Sequence, residues 1–295
     1  MPIPNHNTIL AYPNYVDADP RFAQVAVSGG FWYPAHPARN VLDKALIRRA
    51  RSINVALSST QFVIDLGVVR DVRVGALPIV YASRNCKIRL TGYTSLDLPA
   101  VCDSGWKDLY PVVYPFGSLY YGHVSFWDGK MSEEDAAIFT MPWIHVWDDI
   151  QLARYWKFEI DDVTSEIGYV DVPRVFLSPG YQPTLNFVFG ANHVVEPRTT
   201  VQESWGGAEF FDIQKTRRVA RFGFDFLPED EALTWVHDMQ TRLGIHGQLL
   251  FIFDPTDTAH LHRRTFLARH RTLSPLEYSQ FLRNGVTMEL LEVVA

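Results

Sequence analysis

The stretch RYWKFEIDDVTSEIGYVDVPRVFL, residues 154–177, carries the clearest fold signal in the chain. Trp156, Phe158 and Ile160 alternate with charged residues, which is the period of a strand that buries one face. A polar turn then leads into a second alternating run around Asp171. The stretch therefore predicts two strands of a sheet that covers an apolar core.

Three shorter alternating runs precede this stretch. SSTQFVIDLG, DVRVGALPIV and CKIRLTGY follow one another at short intervals, and Gly67 ends the first of them. Short strands at roughly ten-residue spacing favour a β-sandwich or barrel over βαβ units. Between residues 97 and 147 prolines and aromatics replace the alternation, which predicts long loops with short strands.

The last third of the sequence has a different pattern. RRVARFGFDFLP predicts a strand with Ala220, Phe222, Phe224 and Phe226 on one face. PEDEALTWVHDMQTRLG predicts a helix, because Pro and acidic residues suit its first turn and Gly244 suits its end. QLLFIFDP, RRTFLARHR and VTMELLEVV predict further strands. We therefore expect a mainly β protein, with a β-sandwich or barrel and a second α+β domain that has one clear helix.

The changes in pattern predict three segments. Residues 1–49 are expected to form an N-terminal arm, residues 50–190 the β-sandwich, and residues 191–295 the α+β domain. Packing of the arm on the C-terminal domain is one of the alternatives that the sequence leaves open.

Composition and charge limit the classes of function. The chain has 295 residues, a net charge of −6 and 19 Phe, 13 Tyr and 8 Trp. Nucleic-acid binding requires a clustered basic surface, and the one dense basic run is IRRARS, with Arg48, Arg49 and Arg51. We interpret this run as a solvated edge or a contact to a nearby acid, and we expect no nucleic-acid partner.

Cysteine spacing and hydropathy argue against further classes of protein. Cys86 and Cys102 do not form a CxxC motif, so a reduced chain is expected, with one disulfide as the alternative. The N-terminal MPIPNHNTILAYPNY lacks the basic and apolar regions of a signal peptide. No apolar run reaches the roughly 20 residues that a membrane-spanning helix needs, so no membrane span is expected.

Motifs of catalysis and of phosphate binding are missing from the sequence. GxSxG, HExxH, GxxxxGK[ST] and GxGxxG do not occur. Asp161 and Asp162 form one of several acidic pairs, but neighbouring residues on a strand point to opposite faces. We therefore predict no catalytic residue, no enzyme activity and no cofactor.

His260 and His262 are the weak candidates for metal binding. On a strand these two side chains would share a face, as two ligands of one ion must. A third ligand at a recognised spacing is missing, so the alternative is a DPTDT turn that leads into an exposed strand.

Aromatic residues in the expected loops are the candidates for a binding surface. Trp32 and Tyr33 lie in SGGFWYPAHP, and Tyr120, Tyr121 and Trp127 lie in the central loops. Such rings stack on sugars or anchor a protein partner, so these five form the candidate carbohydrate or partner surface. Alternatively, they cover the ends of the core.

Several of these motifs in succession resemble a known family. SSTQFVIDLGVVRDVRVGALPIV, CKIRLTGY, DSGW, RYWKFEIDDVTSEIGYVDVPRVFL and PGYQPTLNFVFG resemble the galactose-binding-like (discoidin-type) jelly roll of structural proteins from tailed bacteriophages. Residues 221–227, 229–243, 247–255 and 289–293 are similar to the terminal region of distal-tail and baseplate proteins.

The resemblance implies a structural component of a phage tail tip or baseplate. Such a protein would be assembled in the bacterial cytoplasm and reside in the virion tail. It would form a ring of three or six copies that joins the tail tube to the hub or fibres. The alternatives are a carbohydrate-binding module or receptor-binding tail component with a host surface glycan as partner, and a glycan-cleaving enzyme.

Overall fold

The computed structural model describes residues 6–17, 24–280 and 282–294. The chain forms two compact units. Among the described residues, unit 1 contains 6–8, 182–249, 267–280 and 282–294, and unit 2 contains 9–17, 24–181 and 250–266. The three-segment division expected from the sequence stays a prediction.

Strands are the main secondary structure of the chain. In chain order they are β1 (Ile9–Ala11), β2 (Ala26–Ser28), β3 (Ala50–Arg51), β4 (Gln61–Leu77), β5 (Lys87–Tyr93), β6 (Cys102–Asp103), β7 (Lys107–Asp108), β8 (Trp143–Asp161), β9 (Asp171–Val172), β10 (Phe176–Ser178), β11 (Asn192–Glu196), β12 (Thr200–Glu203), β13 (Glu209–Asp212), β14 (Arg217–Pro228), β15 (Leu249–Ile252), β16 (Thr265–Thr272), β17 (Glu277–Gln280) and β18 (Arg283–Glu292).

Helical segments are few and short in the part of the chain that the structure describes. They are α1 (Glu133–Ile138), α2 (Leu261–Arg264), two 3₁₀ turns (Tyr15–Asp17 and Ala38–Leu42) and a helix over residues 229–243. The last consists of Glu229–Glu231, a π-helical turn over Ala232–His237 and Asp238–Leu243.

Strands β4 and β8 form the centre of unit 2. They pair antiparallel in a sheet of order β10–β4–β8–β5–β6, with β2 on β4 and β7 on β5. Trp156, Phe158 and Ile160 of β8 are completely buried, as their alternation predicts. Phe158 lies opposite Phe62 of β4 in the register, and the two rings stack with centroids 5.2 Å apart. The aromatic cross-strand pair adds specific ring contact to apolar burial.

The two strands predicted on either side of Gly67 are one continuous strand. Strand β4 passes through Gly67, which has φ of +77°. The register with β8 shifts between Asp65 and Arg70, so the extra residues bend the strand without ending it. Glycine tolerates this left-handed conformation, and for that reason it marks a bend here and not a strand end.

Close packing in unit 2 also requires a second glycine. Gly92 of β5 lies opposite Trp156 of β8 in the register. A Cβ atom at Gly92 would lie 2.7 Å from the sulfur of Cys102 and 3.0 Å from the Trp156 ring. The missing side chain therefore gives the indole its space. Both cysteines are free thiols, and burial raises the pKa of Cys86.

A buried ion pair joins distant parts of unit 2. The side chain of Arg174 is completely buried, and its Nη2 donates to both carboxylate oxygens of Asp17 at 2.6 and 2.7 Å. Its Nη1 donates to the carbonyl of Leu42 at 3.0 Å. These bonds compensate for removing the guanidinium from water.

Unit 1 contains an antiparallel sheet of order β11–β14–β18–β16, with β17 paired to β18. Ala220, Phe222 and Phe224 of β14 are buried, as predicted, but the placement of Phe226 on the same face is wrong. The register of β14 with β18 shifts between Phe224 and Leu227. The bulge reverses the alternation, so Leu227 is buried and Phe226 is 46% exposed.

Among the described residues, the helix over residues 229–243 is the one clear helix, as predicted. Ala232, Val236 and Met239 are buried on one face. Gly244, with φ of +52°, follows its last residue.

Long bent antiparallel strands around one core in unit 2 are the arrangement that a jelly-roll β-sandwich requires. The predicted fold class is therefore confirmed: mainly β, with an α+β part that has one clear helix. Within the described ranges, none of the helices combines the length and the apolar character needed to cross a bilayer.

Candidate functional site

The loop between β7 and α1, residues 109–132, is called the aromatic loop below. Arg84 braces its end: Nη2 donates to the carbonyl of Lys130 at 2.9 Å and to Asp128 Oδ1 at 2.6 Å. Lys130 Nζ in turn donates to Asp108 at 2.9 Å. Ion pairs with partly buried partners thus fix both ends of a long loop.

Gly129 closes the base of the aromatic loop. Its carbonyl accepts hydrogen bonds from the backbone N–H groups of Val113 and Tyr114 at 2.9 and 3.0 Å. Its φ is +63°, and a Cβ atom there would lie 2.5 Å from the carbonyl oxygen of Tyr114. Only glycine fits this narrow turn, which holds the two sides of the loop together.

The rings of the aromatic loop are presented to solvent. Tyr120, Tyr121 and Trp127 are 73%, 81% and 78% exposed. The Trp127 centroid lies 5.0 Å from that of Phe126 and 6.5 Å from that of Tyr121, both edge to face. Tyr120 packs edge-on against His123 at 5.6 Å. The rings support one another while their outer faces stay open, which suits a stacking surface.

A recess of about 100 Å³ lies in this loop, and its lining includes Phe116, Ser125, Trp127 and Asp128. Aromatic rings therefore lie beside a hydroxyl and a carboxylate. Linings that combine apolar rings with a few polar groups are typical of ligand sites.

Trp32 and Tyr33 lie on another segment of unit 2. The Trp32 ring packs edge-on against buried Phe62 at 5.8 Å, and its Nε1–H donates to the carbonyl of Gly29 at 3.1 Å. The backbone N–H of Tyr33 donates to the carbonyl of Arg51 at 2.9 Å. The structure thus brings Tyr121 and Trp127 together, whereas Trp32 covers the core.

A second surface surrounds Tyr33, and we call it the arginine–tyrosine patch. Its members are Tyr33, Arg49, Arg51, Tyr81 and Tyr169. Arg49 and Arg51 both pair with Asp171, and Arg48 pairs with Asp43, so IRRARS makes contacts to nearby acids. Sequence reasoning did not identify the patch, although Asp171 within an apolar strand and two arginines at strand spacing were signals for it.

The strand predicted for His260 and His262 is wrong. His262 lies within helix α2 and His260 directly precedes it, so the two side chains do not have the spacing of a strand face. His262 is buried, and its ring packs edge-on against Phe139 at 5.2 Å. No group of three or more potential ligands for a metal ion occurs in the part of the chain that the structure describes.

The carboxylate of Asp162 is held by hydrogen bonds within the fold. It accepts hydrogen bonds from the hydroxyl of Ser83 and from the Ser83 backbone N–H, the latter at 3.0 Å. Burial raises the pKa of this carboxyl group although the hydrogen bonds oppose the shift. Asp161 lies opposite Lys87 on β5. Asp161 is therefore the last residue of β8, and Asp162 precedes the turn that follows.

Unit 2 also contains a cleft of about 420 Å³ that sequence reasoning did not find. Its lining includes Lys107, Tyr110, Trp143 and Leu261. Lys107 Nζ lies 2.7 Å from His145 Nδ1, and burial together with the charge of Lys107 lowers the pKa of His145 to about 4. A neutral imidazole is the matching acceptor for the ammonium group.

Comparisons with known proteins give structural likenesses only. No family model matches the sequence, and no curated protein matches it. Among solved structures, the family 32 carbohydrate-binding module of NanJ from Clostridium perfringens, in complex with galactose, has a TM-score of 0.34 and 9% identity, covering 58% of this chain and 98% of the module.

Two other structures have similar scores. A fucose-binding module from Streptococcus pneumoniae has a TM-score of 0.35 and 11% identity, covering 57% of this chain and 95% of the module. A family 89 glycoside hydrolase from Clostridium perfringens has a TM-score of 0.37 and 10% identity over 63% of this chain. The chain spans only 17% of that hydrolase. Scores of this size do not establish a shared function.

Proposed function

We propose that this chain binds carbohydrate through the aromatic loop. The observation that carries the proposal is the group of exposed rings Tyr120, Tyr121 and Trp127 on a loop whose ends are braced by ion pairs. The C–H faces of a pyranose stack on such rings, and its hydroxyl groups suit the Asp128 carboxylate beside them. A braced loop loses little conformational entropy on binding, which favours affinity.

Replacing Trp127 with alanine is expected to weaken glycan binding about 30-fold. Exposed tryptophans at the centre of a binding surface contribute about 2 kcal/mol, which corresponds to that change in Kd. A glycan array screened with the wild-type chain identifies the ligand, and calorimetric titration then gives Kd for each variant. Trp205→Ala is the matched control, because Trp205 is likewise an exposed tryptophan but lies in unit 1.

The Trp127→Ala variant is expected to stay folded, because the ring that it removes is 78% exposed. The proposal is contradicted if the array shows no binding, or if Trp127→Ala and Trp205→Ala bind equally well.

We also propose that the chain assembles with copies of itself, as a structural component of a phage tail tip or baseplate would. The observation that favours this function is the β12–β13 hairpin. In the described ranges these strands pair only with each other, and all of their residues are exposed. Phe210 and Phe211 are among them. An isolated two-stranded hairpin is marginal in water and gains stability when its apolar residues are covered.

A second copy offers a matching surface for the hairpin. Strand β11 is an edge strand that pairs with β14 alone among the described strands, and its Val195 is exposed. A hairpin that adds to this edge in the next copy would give a head-to-tail contact, and such contacts generate rings when the rotation closes. Under this proposal the protein resides in the virion tail and joins the tube to the hub or fibres.

Replacing Phe210 and Phe211 together with aspartate is expected to abolish self-assembly. Charges on the covered faces of the hairpin oppose burial. Mass photometry is expected to show a ring of three or six copies for the wild type and single chains for the variant. Phe116→Asp, at an exposed ring in unit 2, is expected to leave the ring intact. Single chains for the wild type at micromolar concentration, or an intact ring for the variant, would refute this second function.

A further inference from the structure

The centre of the arginine–tyrosine patch is one carboxylate shared by two arginines. Strand β3 pairs with β9, and Arg51 lies opposite Asp171 in the register. Arg51 donates from Nε and Nη2 to the two oxygens of Asp171, both at 2.8 Å, and Arg49 donates from Nη1 at 3.2 Å. The Asp171 side chain is only 2% exposed, whereas Arg49 and Arg51 are 38% and 30% exposed.

Two guanidinium groups on one carboxylate leave one positive charge uncompensated. Arg51 donates both Nε and Nη2 to Asp171. In the described part of the chain, Arg49 forms one hydrogen bond, through Nη1. The guanidinium of Arg49 therefore keeps donors available at the surface, in a group that is always charged.

Tyrosine rings hold the two guanidinium groups in place. The Cζ atom of Arg51 lies 4.0 Å from the centroid of the Tyr169 ring, and that of Arg49 lies 5.3 Å from the centroid of Tyr81. Stacking restricts the rotamers of the arginines and thus reduces the entropy that a ligand must offset. Tyr33 and Tyr81 are 44% and 42% exposed, so rings border the charge on the outer surface.

The geometry points to a second binding site, in which Arg49 and Arg51 hold the carboxylate or sulfate group of an acidic saccharide while Tyr33 and Tyr81 contact its ring. Guanidinium groups bind carboxylates and sulfates through paired hydrogen bonds. The neighbouring tyrosines favour a saccharide over a free ion, because a pyranose has an apolar face to place on them. This inference rests on the proposed carbohydrate function and names an acidic substrate class.

The test measures Kd for heparin oligosaccharides, polygalacturonate oligosaccharides and neutral dextran oligosaccharides with the full chain. We expect binding of one of the acidic probes, no binding of dextran at this patch, and about tenfold weaker acidic binding in Arg49→Gln. This variant leaves the Arg51–Asp171 pair in place, so the fold is retained. Arg48→Gln is the matched control, because it removes the same charge one residue away at a side chain that pairs with Asp43.

The outcomes separate the site from general electrostatics. Equal weakening in Arg48→Gln and Arg49→Gln would show attraction by net charge only and would overturn the inference. Binding of neither acidic probe, or displacement of the probe by equimolar inorganic sulfate, would overturn it as well. Glycan binding by the Trp127→Ala variant tests the aromatic loop separately. Loss of binding at one of the two sites is therefore distinguishable from loss of binding at the other.

Discussion

Replacement of Phe158 with alanine is expected to lower the free energy of unfolding by about 3–5 kcal/mol. The ring is completely buried in the core of unit 2 and stacks on Phe62 at 5.2 Å. It also meets buried Trp143 edge-on at 6.3 Å. Truncation removes buried apolar surface and leaves a cavity in the core beside the face of the sheet, which relaxes only in part.

Urea denaturation followed by tryptophan fluorescence measures this loss. Phe116→Ala makes the same chemical change at a ring that is 90% exposed and is expected to stay within about 0.5 kcal/mol of the wild type. A loss below about 1 kcal/mol for Phe158→Ala would contradict the placement of this ring in the core that β4 and β8 cover.

Replacement of Asp17 with asparagine is expected to destabilise the fold by about 3–5 kcal/mol. Arg174 would keep its charge in a completely buried position but would lose the carboxylate that accepts two of its hydrogen bonds. The carbonyl of Leu42 and the one amide oxygen of the asparagine do not replace the negative charge of the carboxylate. The penalty therefore reflects an uncompensated buried cation and not the intrinsic strength of the pair.

The pair between Asp43 and Arg48 is the surface counterpart. The side chain of Arg48 is 70% exposed, so Asp43→Asn is expected to cost less than about 1 kcal/mol. Both variants are compared by thermal and urea denaturation at pH 7. Equal small losses for the two variants would contradict the description of Arg174 as a buried charge that depends on Asp17.

Strand positions could be predicted where the apolar period continued without interruption. Trp156, Phe158 and Ile160 alternate with charges, and their burial follows directly from the geometry of a strand. Phe226 shows the limit of that reasoning, because the register shift after Phe224 depends on the partner strand β18. His262 shows another limit, since the short helix α2 has no apolar repeat by which a helix could be recognised.

The two candidate surfaces differ in how far the sequence predicts them. Tyr120, Tyr121 and Trp127 stand out in the sequence as aromatic residues within an expected loop, and the structure leaves all three exposed. Arg51 and Asp171 are separated by 120 positions and meet only through the pairing of β3 with β9. A contact of this kind depends on the tertiary fold and not on local spacing.

The most direct test of carbohydrate binding by the aromatic loop is a spectrum of the tryptophan indole N–H groups, recorded before and after addition of the glycan that binds best on the array. The chain has 8 tryptophans, and the Trp127→Ala variant assigns the Trp127 signal. The account predicts that this signal shifts with increasing glycan while that of Trp205 does not. A glycan that binds without moving the Trp127 signal, or an array without any ligand, would contradict it.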